Sequence, residues 1–336
     1  MEYATYYARF SWFPKDHQIY LNLIPAILQL MLVVTNLFIL VVFFRRKWFG
    51  GVNLILIGMA LSDMASVVLL LVSYLFALTL HIHSVDPQSE FQIHFLCITY
   101  KYGTNLSITF NMTSIWLMMF LGIVKFILVR FPLKAKLYTT SRRLLMGTMT
   151  IYLITLLYNV PRYLTDNYDI AAKLYPRKLK ETGSFYCAIK SIKDKNFQMF
   201  LQRDDLLIRS ICVHVIPVVV LLCTSTYFCY KLSKRSYDFS PTPASKRSVK
   251  IVTALTIVHL ISEIPFSVFF CLQYYMVVTK QPLNFILENG YQLIFALYVL
   301  RFMNYLSNFW VYILFNKKFR DTCRSFFCRC RSQAII

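Results

Sequence analysis

Charge is scarce in this 336-residue chain: 15% of residues are Asp, Glu, Lys or Arg, against about a quarter in soluble domains. Acids are the scarcer sign, 15 Asp and Glu against 36 Lys and Arg. Glycine is rare as well, with 8 residues, and there is no internal repeat and no low-complexity tract. That argues against an ion-coupled transporter, which usually shows repeated halves and Gly-broken helices. Catalytic groupings are also missing. His259 lies four residues from Glu263 on one helical face, but no nucleophile, base and orienting group accompany them, and no metal-ligand cluster does. An enzyme is therefore not expected. Nor is a cleavable signal peptide visible: "MEYATYYARFSWFPKDHQ" has no basic region followed by an apolar core, so the first apolar segment is expected to serve as its own anchor.

What is abundant is apolar surface, 57% of the residues. Apolar segments near 20–44, 52–80, 95–129, 144–164, 206–232, 249–278 and 285–315 each supply the ~20 residues that cross ~30 Å of hydrocarbon. The expected fold is an all-α membrane protein, a seven-transmembrane helix bundle with a short amphipathic C-terminal helix. Its parts are an N-terminus over 1–18, the bundle over 19–315 and a tail over 316–336. Arg45, Arg46 and Lys47, then Arg142 and Arg143, Lys246 and Arg247, and Lys317 and Lys318 fall on one side of the bundle, with only Asp238 and Asp321 as acids. The loop over 162–205, on the other side, mixes both signs. The positive-inside rule then puts the N-terminus outside and the C-terminus in the cytosol of a multi-pass plasma-membrane protein. A net charge of +21 would suggest nucleic acid in a soluble protein. Here it reflects topology and the anionic lipid of the bilayer, so no nucleic-acid partner is expected.

Cysteines divide by compartment. Cys97 and Cys187 share the outer, oxidising side, where a disulfide would tie the long loop to the bundle; two unpaired thiols are the alternative. Cys323, Cys328 and Cys330 in "FRDTCRSFFCRC" sit just past the last span beside basic and aromatic residues, as lipidation candidates.

Several span-specific motifs occur in one order: Thr35-Asn36, "ALSDM" with Asp63, "VKFILVRFPL" (124–133), Pro217, Pro265, and "NFWVY" (308–312) followed by "NKKFRDTC". With seven spans and an outer Cys pair, the chain resembles rhodopsin-like (class A) G-protein-coupled receptors over roughly residues 18–330. "TSIWLMMFLGIVKF", "YNVPRYL" and "EIP" are more narrowly similar to invertebrate myosuppressin, FMRFamide-like and sex-peptide neuropeptide receptors. The resemblance implies a short, C-terminally amidated peptide as ligand, a heterotrimeric G protein and arrestin as inner partners, and no cofactor beyond an allosteric sodium ion. A divergent chemosensory receptor, or a weakly signalling decoy, is the alternative.

The departures are specific. Val124, Lys125 and Phe126 stand where the family has an acid, Arg and Tyr; Phe309 replaces a Pro; span four lacks its Trp. Lys125 keeps a charge but not the planar fork of donors that an Arg offers. Lys125, Phe126, Leu133 and Tyr312 are the residues that the resemblance assigns to G-protein coupling. It also implies that Asp63, Ser114, Asn304 and Asn308 line a sodium-binding cavity, with a hydrated hydrogen-bond network as the alternative. The ligand pocket is expected between spans three, five, six and seven, lined by Lys101, Asn105, Arg209, Gln273, Tyr274, Glu288, Gln292 and Tyr298. Arg162, Asp204 and Asp205 lie at its rim.

Glu263 stands in "HLISEIPFSVFF", two residues before Pro265, where the family carries an indole. A carboxylate there is costly unless paired. Arg301 shares a helical face with Asn304 and Asn308, at a depth comparable to Glu263. The sequence therefore predicts a buried switch of Glu263, Pro265 and Arg301 built on a Glu263–Arg301 ion pair.

Overall fold

The computed structural model describes residues 7–10, 18–47, 50–82, 90–131, 135, 138–165, 185–188, 203–233, 243–279, 281, 284–317 and 319–325. Seven long helices dominate them. These are α1 (Gln18–Arg45), α2 (Asn53–Ile82), α3 (Glu90–Arg130), α4 (Ser141–Thr165), α5, α6 (Pro243–Thr279) and α7 (Asn284–Phe315). α5 is continuous but not uniform: Asp205–Ile208 is α-helical, Arg209–Val215 is π-helical and Ile216–Ser233 is α-helical again.

Their faces explain their places. In α1, Ile24, Ile27, Leu30, Val34, Leu37, Val41 and Phe44 point outward at helical spacing, while Gln29, Leu32, Asn36, Ile39 and Phe43 are buried. In water such an outward stripe would be a liability, but in lipid it is the required surface. Six of the helices are long and apolar enough, among the described residues, to cross a membrane. α7 has the length, 32 residues, but is diluted by Arg301, Asn304 and Asn308.

Packing closes the ring. α1 packs on α2 and α7, α2 on α3, α5 on α6 and α6 on α7, while α3 also touches α4, α5 and α6. In its apolar window α3 is 56% buried and α4 only 22%, so α3 is the central strut and α4 an outer staff. Glycines permit close approaches between the helices. A Cβ on Gly103 of α3 would lie 3.1 Å from the backbone nitrogen of Leu70 on α2, and one on Gly58 would lie 3.1 Å from Thr148 of α4. The main apolar core includes Ile39, Phe43, Leu117, Leu121, Leu221, Leu255 and Tyr312.

One element was not expected from the sequence. β1 (Tyr7–Phe10) pairs antiparallel with β2 (Phe185–Ala188), Ala8 facing Cys187. Aromatic residues at Tyr7, Phe10, Phe185 and Tyr186 suit a strand. By connectivity this ribbon marks the end of the bundle where α1, α3 and α5 begin and α4 ends, called here the ribbon end. The opposite, tail end carries a helical segment over 319–325. Asn316 Oδ1 accepts from the Phe319 N–H at its start. Arg320 Nη1 donates to the carbonyls of Ile313 and Leu314, which closes α7. Phe319 is buried against Tyr312 and Phe309.

Candidate functional site

At the ribbon end, α4 and α5 meet through one carboxylate. Asp205 is buried and holds both Arg162 of α4 and Arg209 of α5. Its Oδ1 accepts from the Tyr158 hydroxyl at 2.8 Å and from Arg209 Nε at 3.3 Å; its Oδ2 accepts from Arg162 Nη2 and, at 3.1 Å, from Arg209 Nε. Arg209 Nη2 reaches Asn159 Oδ1 at 3.0 Å, and Asn159 Nδ2 donates to the Thr155 carbonyl. α3 joins through Asn105, whose Nδ2 donates to the Arg162 carbonyl at 3.4 Å, and through Thr109, hydrogen-bonded to the Tyr163 hydroxyl at 3.1 Å.

Arg209 opens the π-helical turn and His214 lies near its end. In an α-helix, residues five apart diverge by about 140° at 100° per residue. The wider turn, closed between residues five apart, brings them towards one face. His214 is buried and stacks on Phe270 with centroids 4.6 Å apart. Its Nδ1 lies 3.1 Å from Glu263 Oε2 of α6. An ionised carboxylate can only accept, so Nδ1 carries the hydrogen. One π-helical turn thus joins the ribbon-end cluster to the carboxylate beside Pro265.

The expected Glu263–Arg301 ion pair does not form. Arg301 packs flat over Phe266, its guanidinium carbon 3.7 Å from the ring centroid, and its Nε has no hydrogen-bond partner among the described residues. Glu263 takes His214 instead, because the π turn delivers an imidazole at bonding distance whereas the Phe266 ring intercepts the guanidinium as a cation–π partner. Asn304 Nδ2 donates to His259 Nδ1 at 3.1 Å, which leaves the hydrogen on His259 Nε2, a buried atom with no partner among the described residues. Tyr305 of α7 donates to Asn111 of α3.

Deeper towards the tail end, Asp63 of α2 accepts from Ser114 Oγ at 2.6 Å and from Asn308 Nδ2 at 2.9 Å. Three of the four sodium-site candidates therefore meet, while Asn304 is engaged by His259. Asn36, Asn308 and Tyr312 line a small cavity nearby. Where α4 lacks Trp, Tyr152 does the joining: its hydroxyl donates to the Gly58 carbonyl and accepts from Ser62, both at 2.7 Å. Where α7 lacks Pro, Phe309 makes edge-to-face contacts with Phe38 and Trp310.

Other candidate residues scatter. Lys101 is buried on α3, one turn from Asn105. Asp204 is half-buried and pairs with Arg203 at 2.8 Å. Gln273 and Tyr274 are half-buried, and Gln292 and Tyr298 exposed. At the tail end Val124 is buried, Lys125 half-buried, and Phe126 meets Tyr227 edge-on at 4.9 Å. Cys323, one of the lipidation candidates, is buried in the core with Tyr312 and Phe319, and burial pushes its thiol up. Leu133, Cys328, Cys330 and the side chains of Cys97, Cys187 and Glu288 lie outside the described residues.

His214, Asn159, Tyr158 and Tyr152 were not singled out from the sequence. The available signal was a histidine inside an apolar span, which is costly there without a partner. No curated protein matches the chain. A family model described as serpentine type 7TM GPCR chemoreceptor Srw matches residues 22–330, and the chain belongs to this family of seven-helix G-protein-coupled receptors.

Proposed function

We propose that this protein is a chemoreceptor of the plasma membrane that detects an extracellular ligand at the ribbon end and passes the signal to a heterotrimeric G protein at the tail end. The observation that carries this reading is the π-helical turn Arg209–Val215. One of its residues belongs to the ribbon-end cluster and another to the Glu263 contact on α6. A ligand that moves Arg209 bears through His214 on the α6 segment containing Pro265. The effect is a population shift: binding favours the bundle arrangement in which the tail-end half of α6 swings out and opens a crevice beside Lys125 and Phe126. Basic residues crowd the tail end, which faces the cytosol by the positive-inside rule.

A short neuropeptide is the second reading, favoured by the β1–β2 ribbon, because an extended peptide can add to a strand edge. An amidated Arg-Phe peptide needs a carboxylate for its Arg, and Asp205 is already held by two arginines of the chain itself.

The test is a screen of small organic molecules and amidated peptides in cells expressing the chain with a promiscuous G-protein α-subunit. Receptor-dependent activation by small molecules supports the chemoreceptor. Activation confined to amidated peptides supports the neuropeptide reading. Ligand binding without activation by any G protein would sink the transducer in both.

A further inference from the structure

We propose that the ligand carries an organic anion, a carboxylate or a phosphate monoester, which docks against Arg162 and Arg209; this rests on the receptor reading above. The argument is a count of lone pairs and donors. A carboxylate offers about four acceptor sites. On Asp205 both oxygens accept twice, Oδ1 from Tyr158 and Arg209 and Oδ2 from Arg162 and Arg209, the one Arg209 Nε–H being shared between them. An incoming ammonium or guanidinium therefore finds no free acceptor on this acid.

Donors are in surplus. Among the described residues two guanidiniums face one carboxylate, which leaves one positive charge in excess at a site where Asp205 and Arg209 are about nine-tenths buried. Asp204 does not compensate, because it bonds Arg203 on the more exposed side. Arg162 uses Nη2 on Asp205, and its buried Nε has no partner among the described residues. Its side chain is 24% exposed, so the cluster opens to the ribbon end through this residue. A planar oxyanion can take a guanidinium edge in two parallel bonds, an arrangement a point charge does not offer. The anion would draw Arg209 away from its hold on Asp205 and Asn159, and the same π turn bears His214.

The experiment uses the full chain purified into phosphatidylcholine nanodiscs and reads its thermal unfolding. The probes are phenylacetate, indole-3-acetate and octanoate, each against its primary amide, with phenyl phosphate and phenethylamine alongside. An acid or the phosphate ester should stabilise with an affinity at least about tenfold above that of the amide or amine. Which anion binds better identifies the source of the charge. Arg162→Gln should lower that affinity about tenfold or more, and Arg162→Lys should restore only part of it. Should Arg162→Gln not fold, the Lys variant alone carries the comparison through its partial loss. Equal stabilisation by acid and amide, stronger stabilisation by the amine, or none by any anion would overturn the proposal. G-protein activation is measured separately on the same preparations: anion binding without activation sinks only the receptor reading, and activation indifferent to the anion sinks only this one.

Discussion

At the scale of single residues, Glu263 and His214 are the most exacting pair. Both are nearly fully buried and sit 3.1 Å apart across α5 and α6. Removing one partner of such a pair leaves a buried polar group unsatisfied, at a cost of about 3–5 kcal/mol, while replacing both is often close to neutral. Glu263→Gln and His214→Leu should each lower thermal stability in detergent by that order, and Glu263→Leu combined with His214→Leu should recover most of the loss. Glu263→Gln with Arg301→Gln should show weaker coupling, because Arg301 rests on Phe266; equal coupling in the two double mutants would contradict the assignment. The need for a partner was legible from the sequence, since a carboxylate inside an apolar span demands one. The partner's identity was not. A helical wheel drawn at 100° per residue carries His214 away from the face of Arg209, and the π turn that reverses this has no sequence signature. Asp63, Ser114 and Asn308 were reached through the family resemblance rather than through periodicity, and they meet across α2, α3 and α7.

At the scale of elements, close approach of backbones decides more than propensity. A side chain at Gly103 would meet the α2 backbone at Leu69 and Leu70 within 3.1–3.3 Å, and backbone in two packed helices cannot yield as a flexible side chain can. Gly103→Val should therefore abolish surface expression. Gly50→Ala is the control, since the nearest atom to its added Cβ is 3.7 Å away and expression should hold. At the tail end the helical segment over 319–325 is fastened by Phe319, which is 0% exposed. Phe→Ala in a packed site costs about 3–5 kcal/mol, enough to undock one short segment while the bundle stays folded. Phe319→Ala should raise hydrogen exchange across 319–325 and leave α3 protected; unchanged exchange would show that Arg46, bonded to Thr322 at 2.9 Å, and Arg320 hold the segment unaided. The amphipathic tail helix was expected from sequence. That its apolar face covers the interior with Cys323 inside it was not, because composition alone cannot tell a lipid-facing sulfur from a packed one.

For the whole molecule, function requires that two ends of a ring communicate through a centre that is both packed and polar. In the proposed function α3 is the strut and α6 the part that moves: α6 runs 37 residues, about 55 Å at 1.5 Å per residue, and carries Pro265 two residues past Glu263. Proline deprives the Ile261 carbonyl of its helical donor and weakens α6 at the level where α5 grips it. A ligand can shift the equilibrium between two bundle arrangements only by its differential affinity for them, so the energy of bending α6 enters directly. Pro265→Ala restores the missing N–H and stiffens that level without touching the ribbon-end cluster. Ligand affinity should then change little, while ligand-stimulated nucleotide exchange on the G protein falls about tenfold, equivalent to about 1.4 kcal/mol against the open arrangement. Paired measurement of binding and exchange on the same membranes separates the two effects. If both fall together, Pro265 shapes the site; if neither falls, α6 does not bend there and the π turn of α5 must reach the tail end by another route.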